Sequence, residues 1–202
     1  IDSPRNQSHA NGGVVHGAAC CLTPIMGWVE ENGVTASRGR GVAQDLERDM
    51  SGPYSIEPVT KIDEVFPQDT NAYNTLFGGR LMSIMDTAAG MVSSKFAHRE
   101  FVTVSVDALK FRRPAYQGDL IETTARVVHT STHTAGVHVV AKRLDRSEWV
   151  TEEICSGFFF MVAIDSEMKP IPIPQFTPNG DEEQRMWNLA QAARDAMKIA
   201  GQ

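Results

Sequence analysis

Long hydrophobic runs are missing from this 202-residue chain. No stretch of about 18 apolar residues exists, so the sequence offers no membrane-spanning helix. Cysteine is scarce: Cys20, Cys21 and Cys155 are the only three. An odd count with two neighbours adjacent gives no disulfide framework, and no Cys-x-x-Cys pair is available for zinc or redox work. A reducing, cytoplasmic compartment is the simplest setting for such a chain. An excess of positive charge is also missing. Nineteen Lys and Arg stand against 25 Asp and Glu, a net charge of −6, which argues against nucleic acid as a partner. A local basic spot survives at Lys110, Arg112 and Arg113.

Residues 1–50 show no sustained period of 2 or 3.6 and are rich in Gly, Ala, Asn and Ser. His16, Pro24 and Gly27 interrupt their mildly apolar part, and the charged start of a signal peptide is missing. We read them as a flexible extension or an artificial leader, with Met50 as a plausible natural start and a short helix possible at 41–50. From Tyr54 the pattern becomes orderly. Residues 54–65 carry β-branched residues and predict a strand, with Pro58 marking an edge position or a late start. Residues 66–78 form a polar loop. A helix follows over 79–98, apolar on several sides. Met82, Asp86, Ala89, Gly90 and Ser93 share one side of it by spacing. Four strands are expected at 101–113, 120–130, 135–144 and 151–164, with Phe158-Phe159-Phe160 marking the last as central. An amphipathic helix closes the chain at 181–200. The order strand, long helix, four strands describes an α+β layer structure in which one helix covers one face of an antiparallel sheet. Sheet edges remain open, and pairing of two copies would close one.

The chemistry concentrates at residues 69–90. A polar loop leads through Gly78-Gly79 into an apolar helix bearing one carboxylate, Asp86. A charge on such a face is costly unless it is paired or used. A helix start with free N–H groups suits a developing oxyanion. Together they point to acyl transfer or hydrolysis. Asp86 acts as general base or as attacking carboxylate, and the residues alone leave that choice open. The plainer reading is a carboxylate bonded to a neighbouring strand. Gly78, Gly79 and Arg80 would present the backbone N–H groups, with both glycines small to admit the substrate. Asn71 orients water or carbonyl, or merely closes an Asx-turn. Thr103 and Ser105 alternate toward one sheet face and reach substrate or Asp86, or are ordinary strand hydroxyls. Arg112 and Arg113, with the turn Thr130, Ser131, Thr132, His133, offer phosphate contacts, or are a solvated strand end and turn. His129, His133 and His138 lack a completing carboxylate or Cys, so no metal is expected. Gly39-Arg40-Gly41 lacks the third glycine of a dinucleotide fingerprint.

Several of these motifs, in this order, carry a resemblance. Asp69-Thr70-Asn71, Phe77-Gly78-Gly79, Met85-Asp86, Ala89-Gly90, Val102 to Asp107, Phe111 with Pro114 and Gly118-Asp119, Thr130-Ser131, Phe158-Phe159-Phe160 and Pro170-Ile171-Pro172-Ile173-Pro174 resemble the hotdog-fold acyl-CoA thioesterases. The nearest group is the brain-type acyl-CoA hydrolases and their bacterial single-domain relatives. The likeness spans about residues 55–180, so the domain expected is 51–180, with 181–202 as an appended helix. It implies a central helix wrapped by a five- or six-stranded antiparallel sheet. It implies acyl-CoA as substrate, coenzyme A as product, no other cofactor, and a homodimer within a larger homo-oligomer such as a hexamer built as a trimer of dimers. It also implies that Asn71 of one subunit works with Asp86 of the other. One departure stands out: the family often has Gly three residues before Phe-Gly-Gly, where this chain has Asn74, and a stiffer loop is expected. Two rivals remain. A dehydratase or hydratase on the same fold needs a His with an acidic partner, but His98 lies twelve residues from Asp86, about 18 Å along a helix. A non-catalytic acyl-CoA-binding module is the other, since fold does not fix function.

Overall fold

The computed structural model describes residues 52–200, with the backbone alone at position 108 and at 198–200. The extension at 1–50, its possible helix and Cys20 and Cys21 lie outside the described residues. The elements are β1 (Val59–Glu64), a 3-10 turn (Pro67–Asp69), α1 (Gly78–Ala97), β2 (Glu100–Phe111), β3 (Leu120–Thr130), β4 (Thr134–Leu144), β5 (Thr151–Ile164) and α2 (Asp181–Ala200). The five strands form one antiparallel sheet in the order β1-β3-β4-β5-β2. The first strand starts at Val59, after Pro58, and lies at an edge, where a residue without an N–H does least harm. The expected 54–65 strand is therefore shorter at its start. The Phe-rich β5 lies inside the sheet, between β4 and β2.

One face of the sheet packs on α1. Leu81, Met85, Ala88, Ala89, Val92 and Phe96 bury against strand residues that include Ile121, Val137, Val139, Phe159 and Met161. The apolar positions of α1 recur at helical spacing, so packing rather than propensity stabilises it. It ends where His98 turns left-handed at φ 49° and stacks on Tyr54 at 3.9 Å.

The other face is covered in part by α2, which the expectation of a single covering helix missed. Val128, Phe158, Phe160 and Ala190 form its core, with Val104, Met186, Ala193 and Met197 packed around them. The Phe158-Phe159-Phe160 run thus divides by strand alternation: Phe159 faces α1 and its two neighbours face α2. Register shifts at Val104 and at Val128 break that alternation in β2 and β3.

Under α2, His138 of β4 tilts against Phe158 at 5.1 Å. Burial pushes its pKa below the ordinary 6.5; Glu153 raises it and Arg185 lowers it further. The folded state therefore binds this proton less readily than the unfolded state. The stability tied to neutral His138 is complete above the unfolded value near 6.5 and is lost as pH falls through the folded value. Thermal melts from pH 7 downward are expected to fall more steeply for the wild type than for His138→Gln. Parallel curves would refute the assignment.

Candidate active site

The loop before α1 is built around two side chains. Asp69 accepts from the Phe66 N–H at 3.0 Å through one carboxylate oxygen and from Arg80 Nε at 2.9 Å through the other. Its backbone carbonyl also accepts the Phe77 N–H at 2.8 Å. Asn71 closes the next turn. Its Oδ1 accepts the N–H of Tyr73 at 2.9 Å and of Thr75 at 3.3 Å, and its Nδ2 donates to Thr75 Oγ1 at 2.9 Å. Its backbone N–H also reaches the Thr75 carbonyl at 2.8 Å. Asn71 is thus an Asx-turn hub within its own chain, as the plainer reading had it. A side-chain amide has two donor hydrogens, so one remains for a ligand. Asn74 holds φ 57°, the left-handed region where Gly is at ease and Asn is the best-tolerated substitute. The loop keeps the geometry a glycine would give, with a narrower choice of backbone states.

The N-cap of α1 is Phe77, whose side chain caps nothing. The Arg80 N–H turns back to the Phe77 carbonyl at 2.9 Å, and the Leu81 N–H reaches the same carbonyl at 3.1 Å. The expected anion donors therefore need correcting. Arg80 offers neither a free N–H nor a free Nε, because Asp69 takes the latter. The first two N–H groups, of Gly78 and Gly79, are accepted by no group among the described residues. A Cβ on Gly79 would stand 2.5 Å from the Phe77 ring, so glycine here lets that ring lie over the helix start. Beside Gly78 opens a cavity of about 350 Å³, with Leu76, Leu81, Phe111, Arg112 and Arg113 in its walls.

Asp86 is half-buried on α1. Thr103 of β2 donates its hydroxyl to Asp86 Oδ1, and the Met161 sulfur lies 3.2 Å from the same hydroxyl. Of the roles the sequence left open for Thr103, contact with Asp86 is the one this geometry contains. Ser105 does not join it. One residue inserted at Val104 resets the alternation, and Ser105 instead lines a cavity of about 300 Å³ with Val104, Thr134, Phe160, Arg194 and Met197.

The expected phosphate-binding set also separates. Arg112 pairs with Glu153 at 2.7 Å and Arg113 with Glu152; both arginines are more than half exposed. Thr130, Ser131 and Thr132 instead tie down the segment before α2. Thr130 Oγ1 accepts the Phe176 N–H at 2.9 Å, the Thr132 carbonyl accepts the Ile173 N–H at 3.0 Å, and the Ser131 carbonyl accepts Gln175 Nε2 at 3.3 Å. Register explains the split. Phe111 pairs with Cys155 while Thr134 pairs with Val162, seven residues along β5, or about 23 Å. Within one chain the two groups occupy opposite ends of the sheet.

Asp69, which the sequence shows only as part of the Asp69-Thr70-Asn71 run, organises the loop leading into α1 through Phe66, Phe77 and Arg80. Among the described residues no group of three His, Cys, Asp or Glu side chains could hold a metal, and no helix is long and apolar enough to cross a membrane. His129 bonds Gln191 at 2.7 Å, so it serves the α2 interface.

The Thioesterase superfamily matches residues 73–150. An acyl-CoA thioester hydrolase of Bacillus subtilis is 39% identical over 134 residues, covering 65% of this chain and 77% of the relative. Among solved structures, a hexameric acyl-CoA thioesterase superposes with a TM-score of 0.68 at 30% identity, over 74% of this chain and 96% of that one. An acyl-CoA hydrolase of Staphylococcus aureus, solved with butyryl coenzyme A and coenzyme A, gives 0.66 at 30% identity, over 73% and 92%. Three variants of that enzyme replace an Asn, an Asp fifteen residues later and a Thr seventeen beyond it by Ala. Asn71, Asp86 and Thr103 have the same two spacings.

Proposed function

This chain belongs to the thioesterase superfamily, and we propose that it hydrolyses acyl-CoA thioesters to free acid and coenzyme A at a site shared by two copies of itself. The observation that carries the reading is the carboxylate of Asp86, oriented by Thr103 on a helix whose first N–H groups are unused.

In this mechanism the thioester carbonyl oxygen accepts from the Gly78 and Gly79 N–H groups, where the helix start favours the developing negative charge. Asp86 then removes a proton from the attacking water, or attacks the carbonyl itself; both fit a carboxylate accepting one hydroxyl. The second Nδ2 hydrogen of Asn71 steadies the water or the carbonyl. Geometry supports two chains. Asp86 lies seven residues beyond Gly79, about 10 Å along the axis. Reacting atoms must come within about 3.5 Å. A carbonyl held at one helix start is therefore served by Asp86 of the partner. Arg112 and Arg113, at the wall beside Gly78, hold the phosphates of coenzyme A. Their ion pairs are exposed and weak, so a phosphate can replace the carboxylates. Assembly beyond the dimer, as a trimer of dimers, and a cytoplasmic setting complete the proposal. The free thiol of Cys155 fits a reducing compartment.

The test is complementation. Asn71→Ala and Asp86→Ala are each expected to release little thiol from acyl-CoA. Unfolded and refolded together, they form mixed dimers with one intact site, and about a quarter of wild-type turnover returns if pairing is random. No recovery in a correctly assembled mixture sinks the shared site. No thiol release by the wild type sinks the hydrolase. Within the described region Cys155 does not disturb a thiol-reactive dye: it is buried, and burial pushes its pKa up to about 11.

A further inference from the structure

Most glycines of the described region have a reason inside the chain. A Cβ on Gly136 would press on His129 at 3.1 Å, and one on Gly157 would meet the Leu109 backbone at 3.2 Å. Gly90 has no such reason. It sits in the interior of α1, where glycine is less favourable than alanine. A Cβ there would meet only the Met161 Cε, at an ordinary 4.0 Å. A glycine that weakens a helix with room to spare points to an occupant from outside the chain.

Its surroundings define that occupant. Gly90 lies one turn beyond Asp86 on the same side of α1, about 6 Å along the axis, and is half-buried like it. One turn before Asp86 stands the side chain of Met82, so the open direction runs toward Gly90. Met161 joins the two places. Its sulfur lies 3.2 Å from the hydroxyl that holds Asp86, and its methyl is the atom a Gly90 side chain would touch. The thioether makes an apolar floor from the carboxylate to the glycine. We infer that the acyl chain of the substrate lies along this strip, and that Gly90 sets how long an acyl group can be while its thioester reaches Asp86. The inference rests on the hydrolysis proposed at Asp86. An alkyl chain suits a strip that offers it a methyl group and a bare helix backbone, with the Ser93 hydroxyl on the same side turned back to the Ala89 carbonyl at 2.8 Å.

The test is kcat/KM over straight-chain acyl-CoAs from butyryl to dodecanoyl, for the wild type, Gly90→Ala and Gly90→Leu, with assembly followed by gel filtration. In Gly90→Leu the ratio of the longest substrate used by the wild type to butyryl-CoA is expected to fall at least about tenfold. The fall in Gly90→Ala is smaller, in a helix no less stable than the wild type. If Gly90→Leu does not fold, the ratio in Gly90→Ala decides. An unmoved ratio in an intact assembly overturns the role of Gly90 and leaves the hydrolase standing. Equal losses at every chain length together with dissociation assign the space to a partner's backbone and overturn it as well. A wild type inactive on every acyl-CoA removes the hydrolase, and the inference with it.

Discussion

Asp86→Asn is expected to lower kcat for acyl-CoA hydrolysis about 10³-fold, within the range that a positioned acid–base group contributes. The substitution keeps the shape of the side chain, and its amide oxygen still accepts from Thr103, so the Asp86–Thr103 contact to β2 survives. What disappears is the negative charge that takes the proton from water or attacks the carbonyl. KM should change little, because the proposed mechanism binds the substrate through the helix-start N–H groups and the cavity beside Gly78, not through Asp86. The melting temperature and assembly should match the wild type, since Asp86 is half-buried and makes no ion pair among the described residues. A folded Asp86→Asn protein within tenfold of wild-type kcat would return Asp86 to a structural role. The binding-module and dehydratase readings would then regain their place.

Phe96→Ala is expected to carry the largest loss of stability, about 3–5 kcal/mol, because its ring is wholly buried. The ring lies on the last turn of α1 in the core shared with the sheet, and the Phe96 carbonyl accepts the Tyr54 N–H at 2.9 Å. Truncation leaves a cavity where helix, sheet and the chain entering β1 meet. The melting temperature should drop on the order of 10 °C. Phe96→Leu, which keeps most of the volume, should lose far less. A drop under about 3 °C would mean that this end of α1 closes around the gap. The effect bears on function through position. α1 presents both Asp86 and Gly79, and a helix anchored only at its first turns cannot hold a carboxylate to the tolerance that attack requires.

The local pattern alone determined the elements and singled out the candidate site residues on α1. Helical spacing with few breakers fixed α1 almost to the residue, and β-branched alternation fixed the strands. Asp86 was visible because a lone carboxylate on an apolar helix needs a use or a partner. Thr103 was visible as a hydroxyl on an alternating strand, with contact to substrate, contact to Asp86 and a plain strand role all left open. Tertiary structure decided what depended on pairing between distant strands. The bulges at Val104 and Val128 reverse which face a side chain takes. No local pattern reveals them, since they arise from the register of β2 on β5 and of β3 on β4. They moved Ser105 out of the site, and the same register parted Arg112 and Arg113 from the turn at 130–132. The contacts of Asp69 with Phe66 and Arg80 also needed the fold, because a polar loop states its hydrogen-bonding groups but not their partners. So did the space at Gly90: the sequence names a glycine, and only the distance to Met161 shows that a side chain would have fitted.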